Sequence, residues 1–131
     1  MDKNAGLLYF LTLVEGDGLV HSYERTRGHE KLIAGDAKYG PDSWRSHDHL
    51  YEAVNETVDL VNYCYLRWLQ LEDQYEVLGP HARQAIEAAR TELIAFAREA
   101  LVIGRGLDRL RLTLAQAGVP ASLDGRNLVG L

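Results

Sequence analysis

Three carboxylates in the middle of the chain are spaced so that one helix would carry them on one face. Glu52, Glu56 and Asp59 lie at positions i, i+4 and i+7, and at about 100° per residue they share a narrow arc with Tyr63. Like charges at this spacing repel each other by a few tenths of a kcal/mol per pair. A divalent cation would remove that repulsion, and so would solvent. The stripe therefore predicts either a metal site or a solvated acidic face.

Mg²⁺ is the metal that an all-oxygen set favours, because it takes one or two carboxylates and completes its shell with waters and substrate phosphates. Such a site would hold a nucleoside polyphosphate and position a water for attack on phosphorus. The predicted catalytic residues are Glu52 and Glu56. The predicted metal ligands are Glu56, Asp59, Glu52 and, from the preceding helix, Glu30. Zinc is disfavoured because the chain has no H-x-x-x-H or C-x-x-C pair.

Aromatic residues near the stripe are candidates for contact with a base or sugar. Tyr39 and Trp44 flank the turn at Gly40-Pro41, and Tyr63 lies on the stripe itself. The alternative for Tyr39 and Trp44 is a purely structural role as an aromatic plug on the core.

Helices are predicted to position these residues. Residues 46–72 contain no Gly or Pro and show apolar residues at helical spacing, with Ser46 as the expected N-cap. Residues 5–14 favour a helix over a strand. Residues 19–38 indicate a second helix, broken near Gly28. Gly40-Pro41 and Gly79-Pro80 are expected to separate the helices.

The last helix carries the most regular pattern in the chain. Apolar residues recur at alternating spacings of four and three, as in a heptad seam. They are Ala82, Ile86, Ala89, Leu93, Phe96, Ala100, Ile103, Leu107, Leu110 and Leu114. The register crosses Gly104 and Gly106, so we expect one long helix or two nearly collinear ones. The seam packs either against the helix predicted at residues 46–72 or against a copy of itself, and its length favours a homodimer through residues 82–114.

These elements predict an all-α protein, a helical bundle with a long C-terminal heptad-patterned helix. Residues 1–118 are expected to form a single helical domain, and residues 119–131 a C-terminal tail or arm.

Composition limits the partners and the compartment. The chain has 131 residues, a net charge of -5 and one cysteine, Cys64. The negative charge disfavours nucleic acid as a partner, and no stretch is long enough to span a membrane. A disulfide framework is impossible with one cysteine, so we expect a cytoplasmic protein with Cys64 as a small buried hydrophobe.

Residues 29–71, with KYGPDSW followed by a helix reading E-x-x-x-x-E-x-x-D-x-x-x-Y, resemble MazG-like all-α nucleoside triphosphate pyrophosphohydrolases and related phage and actinobacterial proteins. The resemblance implies a helical, usually dimeric fold. It also implies Mg²⁺ held by carboxylates of two adjacent helices, and release of pyrophosphate from a nucleotide. Glu56 and Asp59 match the E-x-x-D helix of that family, while Asn55 stands where its motif often has another Glu.

The expected function is therefore that of a Mg²⁺-dependent nucleotide pyrophosphohydrolase-like protein that acts on or binds a (deoxy)nucleoside polyphosphate. Two alternatives remain open at this point. One is a non-catalytic phage-type helical protein that binds a nucleotide or a host factor. The other is a purely structural or interaction protein, a helical oligomer that functions through its seam.

Overall fold

A computed structural model describes residues 3–15 and 22–123 of the chain. Within these ranges the secondary structure consists of helices, with no strand. They are α1 (Lys3–Glu15), α2 (Ser22–Tyr39), a 3-10 helix (Ser43–Ser46), α3 (His49–Tyr75) and α4 (Pro80–Gln116). The predicted all-α class is confirmed. Gly16-Asp17-Gly18, which the sequence predicts as a turn, and residues 124–131, the end of the predicted arm, lie outside the described residues.

The chain divides into two compact units, Met1–Trp44 and Arg45–Leu131. The single domain over residues 1–118 stays a prediction, and we describe each unit by itself.

The first unit contains α1 and α2. The predicted break near Gly28 is wrong, because α2 continues through both Gly28 and Gly35. A helical glycine costs about 1 kcal/mol relative to alanine but leaves the backbone hydrogen bonds intact. The helix ends at Gly40 instead, which has a φ of +92° and donates its N–H to the Asp36 carbonyl at 2.8 Å. A left-handed conformation of this kind favours glycine and stops a helix.

In the second unit, the N-cap of α3 lies two residues after the expected one. Ser46 was the predicted N-cap, but it closes the 3-10 helix and is buried. Asp48 caps α3, with its Oδ1 accepting the Tyr51 N–H at 2.9 Å. Both residue types suit this position, and the 3-10 helix decides between them because it occupies Ser46.

α3 and α4 pack against each other as an antiparallel hairpin. Gly79-Pro80 starts α4 as predicted, with the proline in its first turn. α4 is one continuous helix of 37 residues across Gly104 and Gly106. It ends at Gly118, whose φ is +79°, and the Val119 N–H returns to the Leu114 carbonyl at 2.9 Å.

The register of α4 on α3 differs from the predicted seam. A continuous row of buried and half-buried positions runs along α4 at spacings of four and three. It consists of Ile86, Arg90, Leu93, Ala97, Ala100, Gly104, Leu107, Arg111 and Leu114. The predicted seam members Phe96, Ile103 and Leu110 are 50%, 55% and 46% exposed instead. Three of the ten predicted seam residues are therefore left for another contact.

Small residues explain why α4 turns this side towards α3. Ala100 is 1% exposed, and a Cβ added at Gly104 would lie 2.5 Å from the Thr57 hydroxyl oxygen. The small residues at these two positions allow the backbones of α3 and α4 to approach closely. Hydrophobicity alone favours burial of the larger Phe96 and Ile103. Close approach of the two backbones favours the smaller Ala100 and Gly104 instead.

The segment after α4 folds back onto the second unit. The Leu123 N–H donates to the Arg45 carbonyl at 2.8 Å, and Ser122 is buried. Residues 119–123, the start of the predicted mobile arm, are thus held beside the N-terminal end of α3.

Candidate functional site

Four of the predicted site residues lie on one side of α3. Glu56, Asp59 and Tyr63 are exposed, and Glu52 is half-buried. The other three, Glu30, Tyr39 and Trp44, are exposed residues of the first unit, and their roles in binding stay predictions.

Glu52 differs from the other two carboxylates because it has histidine partners. Its Oε1 shares a hydrogen bond with Nδ1 of His47 at 3.0 Å, and its Oε2 lies 3.8 Å from Nδ1 of His49. The side chain of Glu52 is 31% exposed, against 8% for His47. These contacts hold Glu52 in one orientation, and its roles as metal ligand and proton acceptor stay predictions.

An apolar groove of about 450 Å³ runs between α3 and α4 beside the carboxylate stripe. It is lined by Leu60, Tyr63, Cys64, Leu93, Phe96, Glu99, Ala100 and Ile103. We call its exposed part, formed by Leu60, Tyr63, Phe96 and Ile103, the Tyr63 face. Tyr63 and Phe96 are 69% and 50% exposed, so two aromatic rings are available for stacking.

The stripe borders this face through helical spacing. Tyr63 lies four residues after Asp59, and Leu60 lies four residues after Glu56. Side chains at this spacing are neighbours on a helix surface. The Tyr63 face thus combines aromatic surface, an apolar groove and a carboxylate rim, which together could take a base and, through a cation, its phosphates.

The opposite side of the hairpin carries a second apolar groove, of about 440 Å³. Val61, Tyr65, Trp68, Ile94, Ala97 and Leu101 line it, together with Cys64, Leu93 and Arg98. We call its exposed part, formed by Tyr65, Ile94, Leu101 and the neighbouring Val58, the Tyr65 face. Arg98 is the charged residue among those that line this groove.

A polar cluster that the predictions did not identify connects the two helices at the N-terminal end of α3. The Nη2 atom of Arg111 donates to Oδ2 of Asp48 at 3.2 Å, and its guanidinium carbon lies 4.9 Å from the Tyr51 ring centroid. Asp108 accepts from Nη1 at 3.1 Å. The signal was present in the sequence, since Arg111 follows Gly104 by one heptad. A charged residue such as Arg111 is, however, normally assigned to the solvent-exposed side of a helix.

Opposing effects set the pKa of Arg111. Burial lowers the pKa of the guanidinium, but the hydrogen bonds to Asp48 and Asp108 outweigh it and raise the pKa above its ordinary value. Arg111 is therefore a permanent cation that pairs with the Asp48 carboxylate beside the helix start. The cluster adjoins a small cavity of about 210 Å³ that the returning segment Val119–Ala121 helps to line.

The part of the chain that the structure describes contains no group of three or more His, Cys, Asp or Glu side chains arranged to hold a metal ion. None of its helices is long and apolar enough to cross a membrane.

Searches with this chain against protein-family models, curated proteins and solved structures found no match.

Proposed function

We propose that the protein binds a nucleoside triphosphate with Mg²⁺ on the Tyr63 face and cleaves it to a nucleoside monophosphate and pyrophosphate. The observation that supports this most directly is the position of Glu56 and Asp59, which are exposed and border a groove with two accessible aromatic rings. A groove of several hundred Å³ with a few polar groups at its edge is typical of small-molecule sites.

The aromatic residues of the face and the carboxylates beside it have separate roles in this proposal. Tyr63 and Phe96 stack on the base, and Glu56 and Asp59 hold Mg²⁺ through their carboxylates. Glu52, oriented by His47, accepts a proton from the water that attacks the α-phosphorus, while the bond to the bridging oxygen of pyrophosphate breaks. Bound Mg²⁺ supplies neutralisation of the phosphate charge.

We propose further that the protein acts as a homodimer through α4, within residues 82–114. Exposed large apolar residues along this helix support the proposal, namely Ile94, Phe96, Leu101, Val102, Ile103, Leu110 and Leu112. Single exposed apolar residues are ordinary on a monomer, but several of them clustered on one helix are typical of an interaction surface.

A thermal-shift panel tests the nucleotide proposal. The common nucleoside and deoxynucleoside triphosphates are each added with and without Mg²⁺, and pyrophosphate release is measured in parallel. A ligand at 100 times its dissociation constant adds about 2.7 kcal/mol, which raises Tm on the order of 10 °C for a chain of this size. The absence of both a shift and pyrophosphate release with every nucleotide would contradict the proposal.

Two double variants identify the metal ligands. Glu56→Gln with Asp59→Asn is expected to remove the Mg²⁺-dependent part of the shift and all pyrophosphate release. The matched control is Glu72→Gln with Asp73→Asn, two exposed acids on the same helix but away from the groove. The control is expected to behave as the wild type, because it loses the same charge at a different place.

A second candidate function is a non-catalytic one, as a helical scaffold or a binder of a host factor. The specific observation in its favour is that both sides of the α3–α4 hairpin carry apolar grooves. A dimer that persists without any nucleotide response would favour this second candidate.

A further inference from the structure

The two faces of the hairpin differ in the charges around them. The Tyr63 face has Glu99 inside its groove and the stripe carboxylates Glu56 and Asp59 along its rim. The Tyr65 face has charges of both signs, since Arg98 lines its groove and the exposed Glu72 lies at its rim, four residues after Trp68. A symmetric contact places each residue opposite its own copy or near it, so charge decides which face tolerates self-association.

From this contrast we infer that a second copy of the chain docks on the Tyr65 face and leaves the Tyr63 face open. The inference rests on the homodimer proposed above and names its interface. Self-pairing of the Tyr63 face would press Glu56, Asp59 and Glu99 against the partner's copies in a desolvated contact, where unpaired like charges are costly. Self-pairing of the Tyr65 face buries aliphatic and aromatic surface with arginine at the edge, as protein interfaces commonly do.

The area that the Tyr65 face exposes matches the needs of a stable dimer. Val58, Tyr65, Ile94 and Leu101 are 50%, 55%, 45% and 42% exposed, and the adjoining Leu69 is 39% exposed. Together they present on the order of 450 Å² of largely apolar surface per copy. A standard interface takes roughly 800 Å² from each partner, of which about 60% is apolar. The exposed face therefore supplies close to the whole apolar part of such an interface.

Aromatic residues occupy the α3 side of this face. The rings of Tyr65 and Trp68 are stacked, with centroids 6.5 Å apart and planes 23° apart. The guanidinium carbon of Arg90 lies 3.9 Å from the centroid of the Trp68 ring. Tyrosine, tryptophan and arginine are the residues most enriched among those that dominate binding energy, and here their neighbours already hold them in place.

Two matched pairs of variants test the interface. Ile94 and Ile103 are both on α4, 45% and 55% exposed, but on opposite faces. Tyr65 and Tyr63 form the same kind of pair on α3, 55% and 69% exposed. Ile94→Glu and Tyr65→Asp are expected to weaken the dimer by roughly 100-fold or more, because each buries a charge at the contact. Ile103→Glu and Tyr63→Asp are expected to leave the dimer intact.

Sedimentation or light scattering over a range of concentrations gives the oligomeric state, and far-ultraviolet circular dichroism confirms that each variant is helical. The two α3 variants provide a second test if an α4 variant does not fold. Dissociation by Ile103→Glu and Tyr63→Asp instead, or equally by all four, would overturn the assignment of the face. A monomeric wild type at tens of micromolar would overturn the dimer itself, whereas the nucleotide panel on the wild type tests the catalytic proposal independently.

Discussion

The two halves of the α3–α4 hairpin hold the same pair of helices together in different ways. The half near the start of α3 is closely packed and buried, with Gly104 against Thr57 and a salt bridge from Arg111 to Asp48. The half near the turn uses larger and more exposed groups. There Arg90 lies over Trp68, and Tyr75 donates to Glu87 at 2.8 Å.

Arginine stabilises both ends, but the partners differ. Arg111 pairs with a carboxylate whose side chain is 10% exposed. Arg83 donates to the carbonyls of Tyr75 and Glu76 at the end of α3, at 2.9 and 3.2 Å. Water can replace Arg83 at the second site, whereas nothing replaces Arg111 at a buried carboxylate. Burial, rather than the number of hydrogen bonds, should decide which end matters more for stability.

The largest effect is expected from Arg111→Met. Methionine keeps much of the apolar stem but leaves Asp48 buried without its cation, at a cost of roughly 2–3 kcal/mol after allowance for the partial exposure of Arg111. Chemical denaturation gives the free energy of unfolding of the wild type and the variant. Arg111→Met combined with Asp48→Asn should recover part of the loss, because the buried negative charge is then absent. A loss below about 0.5 kcal/mol would show that the Asp48 end is no better buried than the turn.

Alanine at two neighbouring glycines is expected to change the free energy of unfolding by smaller amounts, in opposite directions at the two positions. Gly104→Ala is expected to destabilise by about 1 kcal/mol or more, since overpacking against Thr57 exceeds the gain in helix propensity. Gly106→Ala meets nothing closer than the flexible end of Arg109 at 3.8 Å and should stabilise by up to about 1 kcal/mol. Thermal melting measures both. Thr57→Ala should rescue Gly104→Ala, because it removes the oxygen that the new methyl group meets. Equal stabilisation by both alanines would mean that α3 and α4 are less closely packed near Gly104.

Arg83→Met tests the turn end and is expected to cost at most about 0.5–1 kcal/mol. Two carbonyls lose a charged donor, but solvent reaches them. Denaturation under the conditions used for Arg111→Met allows the two ends to be compared directly. A loss as large as that of Arg111→Met would reverse the proposed ranking of the ends.

The smallest expected effect concerns pH. The hydrogen bond from Tyr75 to Glu87 and the negative charge of Glu87 raise the pKa of Tyr75, and Arg83 opposes this. A raised pKa in the folded state means that the neutral phenol is the stabilised form. Its contribution is therefore complete below the ordinary tyrosine pKa, about 10, and disappears as the pH rises through the folded value.

Tyr75→Phe should thus lower Tm slightly at pH 8, and the difference from the wild type should shrink as the pH rises above about 10. Melting curves of both proteins across that range show whether the gap closes. A gap that is constant with pH would mean that the Tyr75 hydroxyl contributes through packing rather than through Glu87.

Local sequence signals determined the helices of this protein. Gly40 and Gly118 end helices because glycine adopts positive φ at no steric cost, and Gly79-Pro80 starts α4 because proline has no N–H to lose there. The carboxylate stripe could also be read directly, since residues four and seven apart share a face on any α-helix. The N-cap of α3 was not predicted correctly, because Ser46 was expected there and Asp48, which also suits a cap, takes that position.

Tertiary packing decided which side of α4 faces α3. The heptad pattern of α4 treats Phe96 and Ile103 as seam positions because they are large and apolar. The structure exposes both, and it buries Gly104 and half-buries Arg111 instead. The hydrophobic effect favours the burial of any apolar side chain and so does not select one side of α4. The close approach at Gly104 and the hydrogen bond from Arg111 to Asp48 exist only when α3 and α4 are packed together. For the same reason the sequence identified the Tyr63 stripe but not the apolar face on the other side of the hairpin, which depends on residues of both helices.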